Sequence, residues 1–139
     1  SIFIGYPTHE KFVPDCCGIV FKGKLMHDEI VDYLNCADVF VLPTLKEGSC
    51  NAIIEAMACG LPIISSDLGF NYDILNETYA LFVDPLSIKE ISVAIKYLKD
   101  KPEKRRRMGE AAYKASKKYD IDKRAKIIIN FIDSCLKKE

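Results

Sequence analysis

Two glutamates, Glu47 and Glu55, stand eight positions apart in the stretch VFVLPTLKEGSCNAIIEAMACGLPIISS, which runs from Val39 to Ser66. That stretch has the pattern of a strand, a polar loop, a short helix and a second strand. A helix N-terminus offers backbone amides and the positive end of a dipole, and both favour an anion. Carboxylates beside it accept two hydrogen bonds at once and so pair well with sugar diols. The junction therefore suits a sugar attached to a diphosphate. Gly48 lets the backbone approach a ligand closely. Ser49 or Asn51 can cap the helix through a side-chain oxygen. Amides around Cys50–Ile53 point back toward the loop, and the dipole adds ~0.3–1 kcal/mol for a bound anion. Glu55, one turn in, can present its carboxylate to vicinal hydroxyls such as those of a ribose. Glu47 can present another to a hexose. Taken alone, the spacing is a weak signal. The chain is rich in acids, the helix dipole also accounts for Glu55, and Glu47 also fits a solvated loop.

Short apolar runs bounded by Gly, Pro and polar residues must hold this junction in place. Ile2–Gly5, Ile19–Phe21, Val39–Leu42, Pro62–Ser65 and Ala80–Val83 fit buried parallel strands. Helical patterns lie between them. Asp28–Cys36 carries Ile30, Val31 and Leu34 on one side, with His27 as a candidate cap. Ala52–Cys59 ends at Gly60, a natural left-handed cap, with Pro62 just beyond. Ile88, Ile91, Ile95 and Leu98 form a helical stripe. Pro102 opens a helix running to about Tyr119. Ile121, Ala125, Ile128, Ile132 and Cys135 mark a last amphipathic helix. Strands alternating with helices predict an α/β fold, a Rossmann-like parallel sheet flanked by helices. Ligands in such folds sit at the carboxyl ends of strands, where Pro43–Asn51 falls. The link Tyr6–Gly18 has two prolines and little periodicity, and is expected to be a loop.

The 139 residues amount to about one domain, and no second domain is evident. Hydrophobic residues make up 49%, in runs far short of the ~20 apolar residues of a membrane span. The chain begins with Ser, and no basic-then-apolar leader follows. A fragment of a larger protein is expected, because the helix that should precede the first strand is missing. The six cysteines form no CxxC pair, and Cys36, Cys59 and Cys135 fall where helix or core is expected. That usage suits reduced, buried thiols and a cytoplasmic location. A metal site built from His9, Cys16 and Cys17 has poor zinc-ligand spacing, so no metal is expected.

The pattern VFVLPT, two residues, EG, and then NAIIEAMACGLPIISSD closely resembles the nucleotide-sugar-binding half of GT-B glycosyltransferases, especially the retaining family 4 (group 1) enzymes. The flanking stretches GIVFKGKLMHDEIVDYLNCADVFVLP and ALFVDPLSIKEISVAIKYLKDKPEKRRRMGEAA are also similar to that family. The resemblance covers most of residues 19–135. It implies that residues 1–139 are the donor-binding domain of a two-domain enzyme, one half of a GT-B fold lacking its first strand and its N-terminal acceptor domain. It also implies transfer of a hexose from a nucleoside-diphosphate sugar to an acceptor hydroxyl, with retention, in polysaccharide or glycolipid biosynthesis. Glu47 matches the glutamate that contacts the donor hexose, and Glu55 the one that binds the ribose hydroxyls. Backbone amides around Gly48, Ser49, Cys50 and Asn51 would touch sugar and diphosphate. The turn Gly23, Lys24 and Leu25 matches the region that holds the base. Gly69–Asp73 lies in a second loop facing the donor pocket, where a plain surface turn is the alternative. Gly48-Ser49-Cys50 departs from the Gly-Phe-Gly or Gly-Leu-Pro of many members. The basic residues expected to meet the diphosphate fall before Ser1, and Lys46 does not match their position.

On this reading the main catalytic contribution is stabilisation of the departing diphosphate, with Glu47 orienting the sugar and no metal required. The isolated chain should bind donor weakly and turn over poorly. A sugar-nucleotide epimerase of similar architecture would need acid and base groups close to the sugar ring, and none is evident. A non-catalytic α/β regulatory module, such as a receiver domain, would need clustered aspartates, which Asp67 and Asp84 do not form. Without its first strand the sheet would leave an edge open to self-association.

Net charge is zero but unevenly spread. Residues 1–95 carry 5 Lys/Arg against 13 Asp/Glu, and residues 96–139 carry 15 against 7. Such a tail either meets phosphate or an anionic membrane surface or is a solvated helical face rich in helix formers. A peripheral place at the inner membrane face and a lipid-linked acceptor fit the first option. Nucleic-acid binding lacks the aromatic-basic interleaving it would need. Arg105, Arg106 and Arg107 are consecutive and so do not share one helix face. Vesicle sedimentation should therefore recover little more chain with anionic than with neutral lipid. Strong, salt-sensitive recovery with anionic vesicles would favour the membrane option.

Overall fold

β-Branched and aromatic residues dominate the five short strands among the described residues, and polar turns stop each of them. The structure, a computed structural model, describes residues 1–5, 17–46 and 50–136. It divides into two compact units, Ser1–Cys36 and Ala37–Glu139.

In the first unit, β1 (Ile2–Ile4) pairs in parallel with β2 (Val20–Lys22), with Phe3 opposite Phe21. Their rings stack at 5.1 Å. The N-terminal ammonium donates to the Gly18 carbonyl at 2.6 Å, and Val20 N–H returns a bond to the Ser1 carbonyl. Helix α1 (His27–Asn35) follows. Its cap is Met26 rather than His27, and the Met26 N–H donates to Glu29 Oε2 at 2.8 Å. His27 is instead the first helical residue. Leu34 is buried, with Ile30 and Val31 half-buried on the expected side. Burial on both faces fails for β1, whose Ile2, Phe3 and Ile4 are all exposed. Among the described residues β1 pairs only with β2.

The second unit holds a three-stranded parallel sheet in the order β3 (Phe40–Leu42), β4 (Ile63–Ser66), β5 (Ala80–Val83). Central β4 is buried along its whole length, as a parallel strand covered on both faces should be. Around it stand α2 (Asn51–Ala58), α3 (Ile88–Asp100) and α4 (Pro102–Ser116). Ile64 and Val83 pack with Ala94 and Leu98 of α3 and Met108 of α4. The contact face of α3 is rotated from the expected stripe. Ile91, Ala94 and Leu98 meet the core, whereas Ile88 and Ile95 are exposed. Ser87 caps α3 by accepting from Glu90 N–H.

Pro102 opens α4 at its first position, as expected. The helix stops at Ser116 and tightens into a 3₁₀ turn, Lys117–Tyr119. Arg105 is structural: its guanidinium donates to the Leu98 carbonyl at 2.9 Å, at the end of α3, and pairs with Asp38 at 3.3 Å. Arg106 pairs with Glu103 and Glu110. Two of the three consecutive arginines thus have partners within the chain. Helix α5 (Ile121–Leu136) forms where its stripe predicts, yet none of its residues is buried. The thiols also differ from expectation. Cys36 and Cys135 are exposed, and Cys50 is buried.

Helix α2 ends in a Schellman turn. Leu61 N–H reaches the Ala56 carbonyl and Gly60 N–H the Met57 carbonyl, with Gly60 at φ 74°. Gly109 of α4 lies against this turn, and a Cβ there would stand 2.2 Å from the Gly60 carbonyl oxygen. Helix propensity alone would make Gly109→Ala stabilising by ~1 kcal/mol. The backbone contact reverses that sign. Chemical denaturation should show a loss of ~1–3 kcal/mol for Gly109→Ala. A gain in stability would show that the two backbones can separate at no cost.

Candidate functional site

Strand β3 ends at Leu42, and residues 43–46 lead from it toward α2. Glu47, Gly48 and Ser49 lie outside the described residues, so the expected roles of these three are not placed. The helix begins one residue earlier than expected. Asn51 is its first residue, not its cap, and the cap is Cys50. The Cys50 carbonyl accepts from Ile53 N–H at 3.2 Å and from Ile54 N–H at 3.4 Å. Its thiol makes no capping bond, in keeping with the weak acceptor strength of sulfur. Burial fixes this boundary, because Cys50, Ile53, Ala56 and Met57 all face inward. Asn51 and Ala52 remain exposed at the mouth of the helix.

Glu55 is half-buried one turn further along. Its carboxylate acts on Cys59, four residues on. Burial first, and the Glu55 charge second, push the Cys59 thiol above its ordinary value. Cys59 is therefore a protonated thiol near neutral pH rather than a nucleophile.

The carboxyl ends of β3 and β4 are joined by side chains. Ser65 Oγ donates to the Leu42 carbonyl at 3.0 Å, and Ser66 Oγ to the Thr44 carbonyl at 2.5 Å. Asn71 Nδ2 donates to the Ser66 carbonyl at 2.7 Å and to Ser66 Oγ at 3.1 Å. Asn71 closes a 3₁₀ turn, Gly69–Asn71, and is 2% exposed. Within Gly69–Asp73, Asn71 is buried while Gly69, Tyr72 and Asp73 are exposed. Tyr72 donates its hydroxyl to Asp67, and its ring lies 4.7 Å from that of Phe82. The bond to Asp67 first, with lesser contributions from burial and the charges of Asp67 and Glu77, raises the Tyr72 hydroxyl pKa.

Cys50, Asn51 and Glu55 are thus brought together on one helix of the second unit. Gly23, Lys24 and Leu25 belong to the first unit, in the turn between β2 and α1. Gly23 and Lys24 are exposed and Leu25 half-buried. Sequence reasoning missed Ser65, Ser66 and Asn71. The available signal was two serines closing an apolar strand, where unpaired hydroxyls would be costly. Among the described residues, no group of three His, Cys, Asp or Glu could hold a metal ion, and no helix is long and apolar enough to cross a membrane. His9 and Cys16 lie outside the described residues.

A family model described as "Glycosyl transferases group 1" matches residues 18–115. A putative teichuronic acid biosynthesis glycosyltransferase of Bacillus subtilis is 33% identical over 78 residues, covering 56% of this chain and 20% of that protein. An N,N'-diacetylbacillosaminyl-diphospho-undecaprenol alpha-1,3-N-acetylgalactosaminyltransferase of Campylobacter jejuni is 29% identical over 131 residues, covering 89% of this chain and 35% of that protein. Among solved structures, sucrose-phosphate synthase from Thermosynechococcus elongatus matches with a TM-score of 0.80 at 24% identity. The match covers 87% of this chain and 31% of that one, and agrees with the expected GT-B α/β fold. The chain thus spans between a fifth and about a third of the length of these proteins.

The link between Glu55 and Cys59 can be tested by alkylation. Glu55→Gln removes a charge that favours the protonated thiol, so Cys59 should react faster with iodoacetamide near neutral pH. An unchanged rate at Cys59, read by mass spectrometry, would show that the Glu55 charge does not reach it.

Proposed function

Because the chain belongs to the group 1 glycosyltransferase family, we propose that it is the donor-binding part of a two-domain enzyme that moves a hexose from a nucleoside diphosphate to an acceptor hydroxyl with retention. The observation that carries this reading is the start of α2. Exposed Asn51 and Ala52 open the helix, and half-buried Glu55 stands one turn in. First-turn amides and the helix dipole favour the diphosphate. Glu55 accepts bonds from the ribose diol, and Glu47 orients the hexose. The backbone of Gly48, Ser49 and Cys50 completes the contact with sugar and diphosphate.

Charge on the diphosphate grows as the glycosidic bond breaks. Donors already aimed at that charge lower the barrier without reorganising, and this is the largest contribution assigned to the chain. The acceptor is bound by the other domain of such an enzyme. Relatives named for teichuronic acid biosynthesis and for a diphospho-undecaprenol acceptor support a role in polysaccharide or glycolipid assembly. They also fit a cytoplasmic enzyme working at the inner membrane face on a lipid-linked acceptor. Both names describe transferases, which favours transfer over epimerisation.

Calorimetric titration with UDP-glucose, GDP-mannose and ADP-glucose tests the reading. One of these should bind, and Glu55→Ala should weaken it by ~10-fold or more, as loss of hydrogen bonds to a charged acceptor requires. Equal binding by the chain and by Glu55→Ala would remove the ribose role.

A further inference from the structure

Ser66 closes β4 with no accessible surface, and its hydroxyl serves two partners. It donates to the Thr44 carbonyl and accepts from buried Asn71. Backbone pairing between β3 and β4 ends at Leu42 opposite Ser65. Thr44 lies beyond that ladder, three residues before Glu47. The Ser66 hydroxyl therefore carries the order of the central strand onto the segment that leads to the helix mouth. Asn71 in turn fixes Ser66, because its amide spans both the Ser66 carbonyl and hydroxyl. Ser65 is equally buried but differs in effect. Its hydroxyl donates to Leu42, its own partner in the ladder, and reaches no further. Two buried polar side chains at the end of an apolar strand cost stability unless satisfied. Here one spans from the strand to the loop, and the other holds it there.

We propose that Ser66 and Asn71 are positioning residues for donor binding, setting where residues 43–46 lead into the helix mouth that receives the nucleotide sugar. The inference rests on the donor reading above. Neither residue touches the donor on this view. Each acts through the Thr44 carbonyl. Groups misplaced by a fraction of an ångström lose their hydrogen bonds to a ligand, so affinity should fall while the fold persists.

The test compares the unaltered chain with Ser66→Ala, Asn71→Ala, Ser66→Thr and Ser65→Ala. Each is titrated with UDP-glucose, GDP-mannose and ADP-glucose below its melting midpoint. Ser66→Ala and Asn71→Ala should weaken the donor that binds by ~5–20-fold. Ser66→Thr keeps the hydroxyl and should recover most of that loss. Ser65→Ala should lower the melting midpoint yet leave affinity within ~2-fold, which separates positioning from stability. Should Ser66→Ala fail to fold, Asn71→Ser takes its place. Amide exchange should then quicken in residues 44–46 while β4 and β5 stay protected. Donor binding by the unaltered chain with equal affinity in folded Ser66 and Asn71 variants would overturn this inference alone. No binding of any of the three by the unaltered chain would overturn the donor reading and this inference with it.

Discussion

Two glycine backbones in direct contact govern the second unit. Gly60 ends α2 in a left-handed turn, and Gly109 brings the middle of α4 against its carbonyl with no room for a methyl group. The contact grips α2 by its carboxyl end. The amino end is left to face outward with Asn51 and Ala52 exposed. A helix that is to offer its first-turn amides to a ligand must be held from the other end, and this contact does so. Met108, the neighbour of Gly109, lies in the core with Ile64 and Val83.

Electrostatics follow the same division of labour. Formal charge is strongly basic after residue 95, and two of its arginines are paired within the fold. Arg105 joins the end of α3 to Asp38, and Arg106 lies between Glu103 and Glu110. The negative groups near α2 act locally instead. Glu55 helps keep Cys59 protonated, and Asp67 holds the Tyr72 hydroxyl. Neither region behaves as a uniform field of one sign.

Much of this was legible in the sequence, for identifiable reasons. Ala80–Val83 was delimited correctly because Asp84 and Pro85 stop an apolar run outright. Pro102 announced α4, and Gly60 announced the end of α2. The start of α2 was misread by one residue because side-chain capping preferences pointed to serine or asparagine. Burial of Cys50 fixed the boundary instead. Apolar spacing gave α3 its existence but not its orientation: Ala94 lies in the core while Ile88 and Ile95 are exposed. Ser65, Ser66 and Asn71 were missed because a period-based reading treats polar residues as ends of elements. Their partners, the carbonyls of Leu42, Thr44 and Ser66, are backbone atoms that no composition records.

The serine pair at the end of β4 has a consequence for the chain before it folds. Ile63-Ile64 begins an uncharged, β-prone strand, the kind of stretch that favours intermolecular cross-β pairing when it is bare. Two hydroxyls and then Asp67 interrupt it, and Pro62 blocks it from the other side. Natural sequences flank unavoidable apolar strands with such gatekeepers. The residues that tie the loop in the finished protein thus also keep the nascent strand short of a nucleus for aggregation.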